Sequence, residues 1–122
     1  MRTGIIVFAH GSRVESANEA VRAVAGELAR AGPFDYVESA FLELGQPDLA
    51  GAIEKLTGLG VLRIVVIPYF LTAGTHLERD LPRILEHISS NYNNLEILVA
   101  PPLDCHPAMV QILLDRARAA LS

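Results

Sequence analysis

A single cysteine, Cys105, stands in the 122 residues, so the chain forms no intramolecular disulfide. A lone thiol suits a reducing compartment. Basic residues are not in excess either. Ten Lys and Arg face 14 Asp and Glu, for a formal net charge of −4. Without a Lys/Arg-rich arm or a basic field, a nucleic-acid partner is not expected. An acidic ligand would have to meet local donors such as Arg13, backbone amides or helix N-termini. No apolar run approaches the roughly 20 residues needed to cross a bilayer, so no membrane partner is expected. The residues from Met1 enter a strand pattern almost at once, so a signal peptide is not expected. The expected location is the cytoplasm. Internal repeats, linkers and low-complexity tracts are missing, as are the Gly-x-Gly-x-x-Gly dinucleotide fingerprint and the phosphate-loop lysine signature.

What is present is a globular balance: 51% hydrophobic and 20% charged residues. This suits one domain with one core over residues 1–122. Strand and helix patterns alternate four times. Residues 4–9 read as a first strand. Residues 14–31 put Val14, Ala17, Val21, Val24 and Leu28 on one helical face, with Ser12 as N-cap and Gly32-Pro33 as stop. A second strand is expected over 36–42. A short helix opens at Pro47-Asp48 and ends near Gly58 or Gly60. Residues 62–70 are nearly all apolar, as in a central strand covered on both faces. Residues 77–88 read as a helix in which Pro82 is tolerable only in the first turn. A strand over 95–100 follows. A last helix over 107–121 should turn Met109, Ile112, Leu113 and Ala117 inward. Strands separated by helices imply right-handed crossovers. The expected fold is therefore α/β, a four-stranded parallel sheet flanked by helices on both faces. A sheet this narrow has apolar edges to cover, and a dimer is the structural expectation.

In such a sheet the strand-to-helix loops share one edge, where ligands bind. These loops carry His10-Gly11-Ser12-Arg13, Glu43-Leu44-Gly45-Gln46, Thr72-Ala73-Gly74-Thr75-His76, and Pro102-Leu103-Asp104-Cys105-His106. Three of them supply a histidine and one a carboxylate. His10 and His76 each follow a buried strand and adjoin glycine. An imidazole is a borderline metal ligand and a proton acceptor at neutral pH, so the two together point to metal or proton chemistry. The bland alternative is that each merely caps a helix or bonds a loop carbonyl. Glu43 reads as a third ligand or proton relay, or as a solvated loop acid. Gly11-Ser12-Arg13 makes a fair anion cradle, or a simple helix cap with a surface arginine. Tyr69 and Phe70 suit either an apolar wall for a planar ligand or the core. His106 suits a structural or rim role, and His87 a solvated helix face. Cys105 suits a small buried side chain more than a soft ligand.

These residues resemble the small class II chelatases, the sirohydrochlorin cobaltochelatases of anaerobic cobalamin biosynthesis. The matching segments are Phe8-Ala9-His10-Gly11-Ser12-Arg13, Phe41-Leu42-Glu43, and Ile67-Pro68-Tyr69-Phe70-Leu71 leading into Gly74-Thr75-His76-Leu77-Glu78-Arg79-Asp80-Leu81-Pro82. Pro101-Pro102-Leu103 with His106-Pro107 matches more weakly. Ala9 departs from a position that is often glycine, with little consequence expected from so small a side chain. The resemblance implies a chelatase half-domain and a homodimer with clefts near the subunit interface. It also implies insertion of a divalent metal into a tetrapyrrole. His10 and His76 would then be the metal-binding and proton-accepting pair, with Glu43 as the acid between them. Ser12, Arg13, Gly74 and Thr75 would anchor the macrocycle's carboxylates. No cofactor is implied beyond the substrate metal, Co2+ first, with Ni2+ or Fe2+ acceptable to the same ligands. Two other classes compete. One is a non-catalytic metal or tetrapyrrole carrier. The other is a flavodoxin-like anion-binding module in which both histidines are structural.

Overall fold

The structure, a computed structural model, describes residues 2–71 and 74–122, with only the backbone of Thr75 and His76. Eight elements alternate: β1 (Thr3–Ala9), α1 (Glu15–Ala31), β2 (Tyr36–Phe41), α2 (Leu49–Gly58), β3 (Arg63–Pro68), α3 (Thr75–Ser89), β4 (Glu96–Val99) and α4 (Ala108–Leu121). All strands are parallel, in the order β2-β1-β3-β4. The chain moves from β1 to one side and then crosses back to β3. The β1/β3 boundary is therefore the switch point, and the crevice beyond its carboxyl ends is where such sheets bind ligands.

Alternation along the strands divides the interior. Ile6, Phe8, Ala40, Ile64 and Val66 form one sheet face with Leu49, Ala52, Ile53 and Leu56 of α2 and Leu81, Leu85 and Ile88 of α3. Burying each large aliphatic side chain contributes roughly 1.5–3 kcal/mol. Gly4 lets α2 come close: a Cβ there would stand 3.1 Å from both Leu56 and Val61 side-chain carbons. On the other face Ile5, Val7 and Ala9 are buried together with Ser39, Phe41 and, from α1, Asn18 and Ala25. Helices thus lie on both faces, as the alternation implies.

Several local expectations are corrected. The buried line of α1 runs through Asn18 and Ala25, and Val14 and Val24 are exposed. Val14, not Ser12, is the N-cap of α1, and Ser12 Oγ instead accepts the Val14 N–H at 3.0 Å. Asp48 caps α2, accepting the Gly51 N–H at 2.8 Å, so Pro47 lies just outside the helix. Pro82 sits well inside α3, beyond its first turn. Proline removes one helical hydrogen bond there, but the burial of Leu81, Leu85 and Ile88 holds the helix against the sheet. β3 is sealed only on the α2/α3 side, with Val65 and Ile67 half-buried on the other. The largest departure is α4, which has no buried residue. Leu113 is 64% exposed, Ile112 is exposed, and Met109 is only half-buried. Among the described residues, nothing buries its apolar side within one copy of the chain.

Candidate functional site

His10 leaves the end of β1 and Glu43 follows β2 by two residues. Parallel pairing puts Ala9 beside Phe41, and the ladder continues past both strands. The Leu42 N–H donates to Ala9 O at 2.9 Å, and the Glu43 N–H donates to His10 O at 3.1 Å. The side chains follow: His10 Nδ1 lies 3.8 Å from Glu43 Oε1, with the two side chains 61% and 58% exposed. Gly11 makes the approach possible. Its φ is +96°, and a Cβ at this position would stand 1.6 Å from Glu43 O. Only glycine fits such a turn without strain.

Across the switch point, the Tyr69 N–H donates to Phe8 O at 2.7 Å and brings Phe70 against the histidine. The Phe70 ring meets His10 edge-on at 6.3 Å between centroids, and meets Phe8 in the same manner at 6.1 Å. Phe70 thus lines the cleft and also packs on the core's margin. His10, Phe70, Gly74 and Asp80 line a cleft of about 340 Å³ with Leu42 and Ile84. The side chains of Thr75 and His76 lie outside the described residues, and their backbone forms the first turn of α3.

The other expected residues divide. Gly74 is exposed at the N-cap of α3. Arg13 is exposed and makes no hydrogen bond or ion pair among the described residues. Ser12 is committed to its own loop. Its N–H donates to Asn18 Oδ1 at 3.0 Å, and its carbonyl accepts from Asn18 Nδ2 at 2.9 Å. His106 does not join the cleft: its Nδ1 accepts the Ala108 N–H at 3.0 Å and so serves the start of α4. Cys105 is exposed, in a turn with φ of +64°, rather than buried.

Sequence reasoning missed the residues that hold the two loops. Asn18 is 1% exposed, and besides Ser12 its Nδ2 donates to Leu44 O at 2.9 Å. One amide thus ties the loop after β1 to the loop after β2. Arg22, one turn further on, donates to Gln46 O at 3.0 Å and to Glu15 Oε1 at 2.6 Å. Its guanidinium lies 5.2 Å from the centre of the Phe41 ring. Hydrogen bonds from Arg22 and Asn18 hold the Glu15 carboxyl below the usual range. Bonding to Glu15 in turn raises Arg22. The available signal was a polar residue on the inward face of an amphipathic helix, four residues before a basic one. Asp80 was also given no role, although it stands four positions beyond His76, one helical turn on.

A parallel α/β sandwich with an imidazole and a carboxylate at its switch point has the build of the chelatase fold. The CbiX family model matches residues 4–120, and the chain belongs to that family. Among curated relatives, the sirohydrochlorin cobaltochelatase of Sulfolobus acidocaldarius is 36% identical over 98% of this chain and 93% of its own length. That of Methanosarcina barkeri is 32% identical over 98% of both. A CbiX protein of cobalamin biosynthesis from Marinobacter aquaeolei has a solved structure with a TM-score of 0.85, at 28% identity over 98% of this chain and 97% of its own. The sirohydrochlorin chelatase SirB of Bacillus subtilis, solved in complex with cobalt, gives a TM-score of 0.90 at 25% identity. There the match covers 98% of this chain but 51% of SirB.

Proposed function

We propose that this protein is a sirohydrochlorin cobaltochelatase, inserting Co2+ into the macrocycle with His10 and His76 as the metal-binding and proton-accepting pair. The observation that carries this reading is the meeting of His10 with Glu43 beside Phe70 at the switch point. Full-length similarity to curated sirohydrochlorin cobaltochelatases supports it.

Insertion has two requirements. The ion must shed water ligands, and the macrocycle must lose two pyrrole protons as the metal–nitrogen bonds form. A neutral imidazole offers a lone pair to a first-row ion and can equally take up a proton. Glu43, within 4 Å of His10 Nδ1, is positioned to accept a proton through that ring or to share the ion. Both groups are largely open to solvent. An ion there keeps part of its water and is held loosely enough to be released, unlike one in a closed structural site. Phe70 presents an apolar edge on which a planar ligand can rest, and Arg13, with a free guanidinium, is suited to a macrocycle carboxylate. Gly74 and Thr75, at the start of α3, would supply backbone donors to another.

The functional unit is a homodimer in this reading. Support comes from the uncovered apolar side of α4 and from SirB, twice as long as the segment this chain matches. A second copy would stand where the longer relative has its other half. The substrate metal is the least constrained part. A chloroplast sirohydrochlorin ferrochelatase from Arabidopsis thaliana is 29% identical over 98% of this chain, so Fe2+ is the second reading.

The test is anaerobic absorbance of sirohydrochlorin with Co2+, Fe2+ or Ni2+, with His10→Ala and His76→Ala in parallel. Metal-dependent spectral conversion above the spontaneous rate, lost in both variants, is expected. Binding of the macrocycle without acceleration by any ion would replace the enzyme with a carrier.

A further inference from the structure

Beside the His10 cleft lies a second, larger groove of about 480 Å³ between α2 and α3. The two adjoin, with Leu42 and Ile84 lining both. The floor of the groove is apolar, made by Phe8, Leu49 and Ile88. Its rim is polar and asymmetric. Arg83 and His87 stand on the α3 side, one turn apart and both exposed. Asp48 stands on the α2 side, where its Oδ1 is occupied by the Gly51 N–H. Among the described residues, Arg83 makes no hydrogen bond or ion pair. A cation without a partner at the mouth of an apolar groove is matched by a ligand with an apolar stem and an anionic end.

We propose that this groove is a substrate subsite: a carboxylate-bearing arm of the macrocycle crosses Leu42 and Ile84, lays its methylenes on the apolar floor and places its carboxylate on Arg83. The proposal rests on the tetrapyrrole reading above. A guanidinium and a carboxylate form a charge-assisted, often bidentate pair. Asp48 repels a carboxylate from the opposite rim, so the arm is directed to the α3 side. Alternate contacts along α3 explain the geometry. Leu77, Asp80 and Ile84 face the His10 cleft, and Arg83, Ile84 and His87 continue the line into the groove. One helix face therefore serves both the reacting centre and a peripheral arm. The arm's contact is the same in the bound substrate and in the transition state, so it sets affinity for the macrocycle rather than turnover.

The experiment measures sirohydrochlorin binding by absorbance titration and insertion kinetics for the wild type, Arg83→Gln, Arg83→Lys and the groove-filling Ala50→Trp. Arg83→Gln is expected to weaken binding and raise KM about tenfold, with kcat unchanged, as loss of one exposed charge-assisted pair predicts. Arg83→Lys should recover part of the loss, and Ala50→Trp should raise KM without altering Co2+ affinity. Arg83 and Ala50 are both exposed, so folding is not at stake. Wild-type binding with Arg83→Gln within twofold of it overturns the subsite and leaves the chelatase reading standing. Failure of the wild type to bind sirohydrochlorin overturns both.

Discussion

Replacing Gly11 by alanine should part the two loops that carry His10 and Glu43. The methyl group would stand 1.6 Å from Glu43 O, where backbone contacts closer than 3.0 Å do not occur, so the chains must separate by roughly 1.4 Å. An L-residue held at positive φ adds roughly 1–2 kcal/mol. The separation also breaks the Glu43 N–H to His10 O bond and strains the Leu42 N–H to Ala9 O bond, each contributing about 1 kcal/mol. The expected loss is about 3 kcal/mol, read as a lower denaturant midpoint at constant slope in equilibrium unfolding. Gly58→Ala is the internal control. It ends α2 with nothing within 4 Å of a Cβ, and should be neutral or stabilise by roughly 0.5–1 kcal/mol. Turnover should fall further than stability does, because a displacement of about 1 Å at a reacting group costs on the order of a hundredfold. A Gly11→Ala loss below about 1 kcal/mol, with full turnover, would refute the clamp.

Asn18→Ala should cost about 2–3 kcal/mol in chemical unfolding, because it leaves the Ser12 N–H and the carbonyls of Ser12 and Leu44 without their buried partner. His10→Ala should leave stability within about 0.5 kcal/mol, since the side chain is exposed, while metal insertion falls by roughly a hundredfold or more. Glu15→Gln should slightly lower the thermal midpoint at neutral pH. The folded carboxyl titrates below its unfolded range, so its stabilisation is present above that range and lost as pH falls through the folded value. The midpoint gap should therefore close in acid, and a gap independent of pH would contradict the assignment. The double variant Ile112→Asp, Leu113→Asp should sediment as a monomer where the wild type sediments as the proposed dimer.

The type and order of all eight elements were legible because β-branched runs alternate with helical periodicity and Gly/Pro stops. So was the grouping of His10 with Glu43, since parallel strands bring successive loops to one edge. Element ends were less legible. The second strand ends at Phe41 and the third at Pro68, each short of the apolar run that suggested it. Apolar residues just past the strand ends, such as Leu42 and Phe70, line the cleft instead. Asn18 was missed for the opposite reason. A polar residue on a helix reads as solvated, and only the loop carbonyls packed beneath α1 reveal its use. The groove at Arg83 depends on α2 and α3 lying side by side, which hydrophobic pattern alone does not fix.

α4 marks the limit of pattern most clearly. Its spacing states that Met109, Ile112, Leu113 and Ala117 share a face, and the expectation was that this face turns onto the chain's own sheet. Periodicity identifies a face to bury but not the surface that buries it. On the sheet, Leu98 is 47% exposed and Val65 and Ile67 are half-buried, all on the side away from α2 and α3. Helix and sheet therefore leave apolar surface uncovered in the same single copy, as the proposed homodimer requires. Two copies can cover both at once through a self-complementary two-fold contact, in which each helix meets the other copy's open surface. Sequence patterning that looked like an internal packing instruction is then satisfied between chains. Sedimentation of the wild type beside the α4 double variant tests that argument directly: a monomeric wild type refutes the proposed dimer, and a variant that still dimerises places the interface elsewhere.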